Sequence, residues 1–162
     1  MKRISIIAVL LLVTIASFAQ SGRSIYEKYS DNDGVSAVYI SPAMFRLIGK
    51  LPEIKAGSEE ETVDLAPVVR TLTGMYILNS ENPAIREALA NDVKKFVSSK
   101  KYELLMEAKD NGQTMKMYTV GDQKTVNSFV MYAIDESEAT FICIDGNMNR
   151  EDLEKVLAEQ MK

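Results

Sequence analysis

The stretch ATFICIDGNMNREDLEKVLAEQM, residues 139–161, decides the fold class. Phe141, Ile142, Cys143 and Ile144 make both alternating faces apolar, as expected of a strand covered on two sides in mid-sheet. Asp145-Gly146 is expected to break that strand. Asn149 then caps a helix, with Asp152 in a capping-box-like position and Glu151 in the first turn, where the helix dipole favours negative charge. Leu153, Val156, Leu157 and Met161 form one apolar stripe, and Glu151 and Lys155 are spaced to pair at i,i+4. A buried strand feeding an amphipathic helix makes a two-layer core, with Val156 and Leu157 expected on the sheet. Phe141 with Cys143, or Ile142 with Ile144, then faces the helices.

Working back from this stretch, the preceding strands form a meander. Asn111-Gly112 reads as a two-residue hairpin turn. The register that follows sets Met106 opposite Met117, Ala108 opposite Met115 and Leu104 opposite Thr119, on a side assigned to the core. Glu107 and Lys116 face each other on the other side, a favourable opposite-charge pair. Gly121-Asp122 turns into a strand over Thr125 to Ile134, and residues 135–138 turn again into the strand at 140–144.

Upstream lie a strand over Val35 to Ile40 and a helix capped by Ser41, with Pro42 in its first turn and Gly49 as its stop. Met44, Phe45, Leu47 and Ile48 give that helix its apolar face. Lys55 to Leu65, with the acidic run Glu59-Glu60-Glu61, reads as a mobile loop. Thr71 to Leu78 is β-like. Asn82-Pro83 opens the longest helix, striped by Ile85, Leu89, Val93, Phe96 and Val97 and closed at Ser98-Ser99-Lys100. The predicted architecture is a single two-layer α+β domain over 34–162. Its mostly antiparallel sheet of about six strands follows the order strand, helix, strand, helix, four strands, helix, with helices mainly on one face.

Lys2-Arg3, the apolar run Ile4 to Ala16 and the small residues Ser17 and Ala19 predict a secretory signal peptide over 1–19, cleaved between Ala19 and Gln20. Residues 20–33 read as a loose polar lead-in, with one or two helical turns over Ser24 to Ser30 as the alternative. Loss of Lys2 and Arg3 takes a chain of 19 basic and 23 acidic residues from a net charge of −4 to −6. That charge repels phosphate backbones and argues against nucleic acid as a partner.

Histidine is absent, which removes the usual general base and the usual transition-metal ligand. Cys143 is the only cysteine, so no internal disulfide can form; inside an apolar strand it reads as a packed, inert thiol. No Gly-rich phosphate loop occurs. Asp145 to Asn149 begins like a calcium loop but has Arg150 where glycine belongs and Val156 where a bidentate glutamate belongs; Asp31 and Asp33 fail at Val35. No catalytic residue, cofactor or metal site is assigned. The one nameable ligand set is Met106, Met115 and Met117, soft thioethers suited to Cu(I), set against their use as core filler.

Several segments together resemble one family. They are the leader, the strand–helix start VSAVYISP from Val35, the helix ending near Phe96, the YELLME hairpin from Tyr102 and the closing FICIDGNM from Phe141. The chain resembles the small exported bacterial proteins grouped as domain of unknown function 4252 (DUF4252). That family carries no established activity, so no site residues are transferred. Many members resemble lipoproteins, whereas this chain lacks the lipid-accepting cysteine and no lipid anchor is predicted. Members are often encoded beside extracytoplasmic sigma-factor systems, and the resemblance implies an envelope-response role. The expected function is therefore a non-catalytic, periplasmic or secreted interaction module whose partner is another envelope protein. The alternative is a small-ligand or Cu(I) carrier built on the hairpin methionines.

Overall fold

The structure, a computed structural model, describes residues 21–48, 55–56, 63–64, 66–99 and 102–160, with 55–56, 63–64 and 156–160 as backbone. In chain order the elements are α1 (Gly22–Tyr29), β1 (Val35–Ile40), α2 (Pro42–Ile48), β2 (Lys55–Ala56), β3 (Val63–Asp64) and α3 (Ala66–Val69), then β4 (Leu72–Ser80) and α4 (Pro83–Ser99). They continue with β5 (Glu103–Asp110), β6 (Gln113–Gly121), β7 (Thr125–Ile134), β8 (Ala139–Asn149) and α5 (Arg150–Gln160). The α+β reading holds. Six antiparallel strands lie in the order β1-β4-β8-β7-β6-β5, so β5 to β8 are a meander and β8 sits inside the sheet between β4 and β7. A strand apolar on both faces belongs there.

The hairpin turn has φ 45° at Asn111 and 87° at Gly112, the paired positive values of a type I′ turn. Met106 opposes Met117, Glu107 opposes Lys116 and Ala108 opposes Met115, as the register predicts. Beyond Met106 the register shifts. Leu104 opposes Tyr118, not Thr119, because a bulge inserts Leu105 as an extra residue.

Three further expectations are corrected. Residues 21–33 are not a loose lead-in, since α1 occupies most of them, as the helical alternative for Ser24 to Ser30 has it. Ser21 and Ser24 cap it reciprocally, and Ile25 and Tyr29, one turn apart, are buried. Packing on β4, β8 and α4 pins a short helix that its polar composition hides. Asp145-Gly146 does not end β8, which runs on to Asn149 across irregular pairings with β4 and β7. A Cβ at Gly146 would lie 2.9 Å from the Thr71 carbonyl oxygen, so glycine here serves a close backbone approach. The Asn147 N–H donates to that same oxygen. In the segment read as a loop, β2 and β3 pair Lys55 with Asp64 and Ala56 with Val63. Pairing around a connecting segment is a long-range feature that local composition does not encode.

Asn149 caps α5 as predicted, its Oδ1 accepting from the Glu151 N–H at 2.8 Å. Lys155 pairs with Asp152 at 3.7 Å, three residues away, in place of Glu151. The leader, Gly49, the run Glu59 to Glu61, Lys100, Met161 and the side chains of Val156 and Leu157 lie outside the described residues.

The core answers which alternate set faces the helices. Phe141 and Cys143 pack with Tyr76, Leu78, Val130 and Tyr132 under Ile25 and Tyr29 of α1 and Leu89, Val93, Phe96 and Val97 of α4. Among the described residues, one charged side chain is buried in this layer. Asp92 of α4 accepts from the Tyr29 hydroxyl at 2.7 Å and from the Lys28 ammonium. Burial works against its ionisation, but those two hydrogen bonds outweigh burial and hold the carboxyl below the ordinary aspartate value.

Candidate functional site

Residues directly opposite each other in neighbouring strands share a face. Because Tyr76, Cys143 and Val130 look toward α1 and α4, their sequence neighbours look the other way. One continuous row of partners on that second face runs Val38, Ile77, Ile142, Met131, Met117, Met106, from one sheet edge to the other. The next row is Ile40, Met75, Ile144, Phe129 and Thr119. Thr119 is buried, but Ile77, Ile142, Met131 and Met117 are only half-buried, and at the edges Val38 is 49% and Met106 41% exposed. A face paved edge to edge with aliphatic and thioether side chains still in contact with water is the most unusual surface among the described residues.

The candidate methionines come together here, though not where expected. Met106, Met115 and Met117 share one face as the hairpin register requires, but it is this second face, not the helix-covered core. The reason lies two strands away. Met117 opposes Met131, Met131 opposes Ile142, and Ile142 alternates with the buried Phe141 and Cys143. The sequence reasoning missed Met131, which extends the thioether row across β7. Its alternation with Val130 and Tyr132 was visible, but the β6–β7 register was not, because pairing slips at Val120 and Gly121.

The sole cysteine is fully buried. Its Sγ lies 3.5 Å from the Ser128 Oγ and 3.5 Å from Asp145 Oδ1, directly beneath Gly22 of α1. Tyr102 closes this cluster from above β7, its hydroxyl donating to Ser128 Oγ at 3.1 Å, and burial raises its pKa well beyond the usual phenol value. Helix α1 seals the thiol, so the group packs and does not present a nucleophile. Asp145 to Asn149 lies in β8, and Asn149 spends its side chain on the α5 cap, so no calcium loop forms. Among the described residues, no group of three or more His, Cys, Asp or Glu converges, and no helix is long and apolar enough to cross a membrane.

Comparison with known proteins returns no curated relative and no solved structure of significant similarity. The sequence model of one family matches residues 27–156, from α1 into α5 and through every strand of the six-stranded sheet. The chain belongs to that family, described as Domain of unknown function (DUF4252).

Proposed function

We propose that the protein is a non-catalytic interaction module of the cell envelope, linked to envelope signalling, exported by the leader at 1–19 and cleaved between Ala19 and Gln20. Its docking surface is the second face of the sheet, and the row from Val38 to Met106 carries this reading. At about 4.8 Å between strands and about 6.7 Å between alternate residues, the six residues of that row and the four apolar residues of the next, Ile40, Met75, Ile144 and Phe129, cover roughly 320 Å². Two partners each burying that much make a contact of the weak, transient class. The partner is another envelope protein that brings an apolar sheet or helix face. A photo-crosslinking residue placed at Met131 is expected to capture one defined envelope protein, and the same group at exposed Glu87 of α4 is not. Equal capture from both positions defeats the assignment. The mass of the mature N-terminus checks export, and a retained Met1 defeats it.

A second reading, a Cu(I) carrier, is favoured by one observation: Met106, Met117 and Met131 stand directly across three neighbouring strands, with Met115 beside Met117. Soft thioethers in such an array are the ligand type Cu(I) takes. Competition with bicinchoninate tests it. Met117→Leu is expected to abolish copper retention, and wild-type protein that cannot withdraw copper from the chelator ends this reading.

A further inference from the structure

On the helix-bearing side of the sheet, α4 covers β8 and β7 and leaves the inner surface of the β5–β6 hairpin bare. A groove of about 300 Å³ runs between them. The register builds its floor, with Glu107, Lys116 and Tyr132 forming one cross-strand row and Lys109, Thr114 and Ile134 the next. Ala90, Val93 and Val97 of α4 make an apolar wall, with Lys94 at its lip.

Two features of this groove need an explanation. The first is charge. Lys94, Lys109 and Lys116 line it against a single carboxylate, Glu107, which already bridges Lys109 and Lys116 at 3.1 Å each. The groove is locally cationic on a chain of net charge −4. The second is hydrogen bonding. The Tyr132 hydroxyl is buried in a residue only 5% exposed and has no hydrogen-bond partner among the described residues. Nε of Arg86, one helical turn from Ala90, also has no hydrogen-bond partner among the described residues, although Nη1 of the same guanidinium donates to the Asp135 carbonyl oxygen at 3.0 Å. A buried polar group left unsatisfied is costly, and the Tyr132 side chain lines the groove. An acceptor oxygen entering the groove answers the need of the Tyr132 hydroxyl.

We propose that this groove binds a small anionic amphiphile, an alkyl carboxylate in chemical class, with its carboxylate held by the lysines and the Tyr132 hydroxyl and its chain against Ala90, Val93 and Val97. The site is independent of the docking face, which lies on the opposite side of the sheet.

Titration of the mature protein with sodium octanoate, followed by amide chemical shifts, tests the proposal. Saturable shifts are expected at Lys94, Lys116 and Tyr132. Tyr132→Phe and Lys116→Ala should each weaken binding about tenfold, the scale of a hydrogen bond to a charged group. Without octanoate, Tyr132→Phe should melt at or above the wild-type temperature, since it removes an unsatisfied buried hydroxyl and keeps the ring. Octan-1-ol binding as tightly as octanoate would overturn the proposal, as would shifts confined to the Ile142 and Met131 face, no saturable binding, or a Tyr132→Phe protein that is less stable when free of ligand.

Discussion

Asp92 shows how one polar side chain is made to serve an apolar layer. Its carboxylate links α4 to α1 through the Tyr29 hydroxyl and Lys28. Because the folded pKa lies below the ordinary aspartate value near 3.9, the stabilisation is present above that pH and is lost as pH falls through the lower folded value. Wild-type stability is therefore expected to drop below about pH 4, and Asp92→Ala should flatten that limb. At neutral pH Asp92→Ala should cost about 1–3 kcal/mol, since it leaves the Tyr29 hydroxyl buried without its acceptor. Denaturant unfolding of both proteins at pH 7 and pH 3 checks both statements. Gly22 supplies a second test at this scale. A Cβ there would stand 2.2 Å from Cys143 Sγ, so Gly22→Ala should cost about 1–3 kcal/mol by overpacking. Adding Cys143→Ala should restore only part of the loss, because it removes the sulfur but keeps the Cys143 Cβ, which a Cβ at residue 22 would meet at 2.7 Å. A double-mutant cycle with no coupling would mean that α1 does not sit on β8.

Elements were legible in the sequence where their signals are local. The caps at Ser41, Asn82 and Asn149, the stripe from Leu89 to Val97 and the Asn111-Gly112 turn each act within one or two turns of chain, and each is found in place. Local signals fail where a distant contact decides. Helix α1 exists because Ile25 and Tyr29 find a core built from β4, β8 and α4. The β5 bulge at Leu105 and the slip at Gly121 are settled by neighbouring strands, and the slip hid the β6–β7 register that sets which face the methionines occupy. The candidate site was thus half legible, since the shared face of Met106, Met115 and Met117 follows from the turn and its outward direction does not. The turn itself is testable. With φ at 87°, Gly112→Ala should cost about 1–2 kcal/mol, whereas Lys155→Ala, which breaks an exposed pair in α5, should cost less than about 1 kcal/mol. Equal unfolding midpoints for these two variants would contradict the hairpin geometry.

At the scale of the whole molecule the sheet divides into two unlike apolar faces. One holds Leu78, Val130, Phe141 and Cys143 at zero exposure beneath α1 and α4. The other holds Ile77, Ile142, Met131 and Met117 in partial contact with water. A domain gains stability from the first and loses solubility to the second, and the proposal that the second is a contact surface rests on this contrast. The two faces predict opposite mutational outcomes. Phe141→Ala should cost about 3–5 kcal/mol, as removal of a fully buried ring does. Met131→Lys, at the centre of the second face, should change stability by less than about 1 kcal/mol, because the long lysine stem can lie along the sheet and carry its charge to solvent. It should nevertheless abolish crosslinking from a neighbouring position such as Met117, since an unpaired charge cannot enter an apolar contact without a large desolvation cost. Unfolding and crosslinking of the same two variants decide between the assignments. If Met131→Lys proves as destabilising as Phe141→Ala, the second face is part of this chain's own core, and the docking surface proposed for it does not exist.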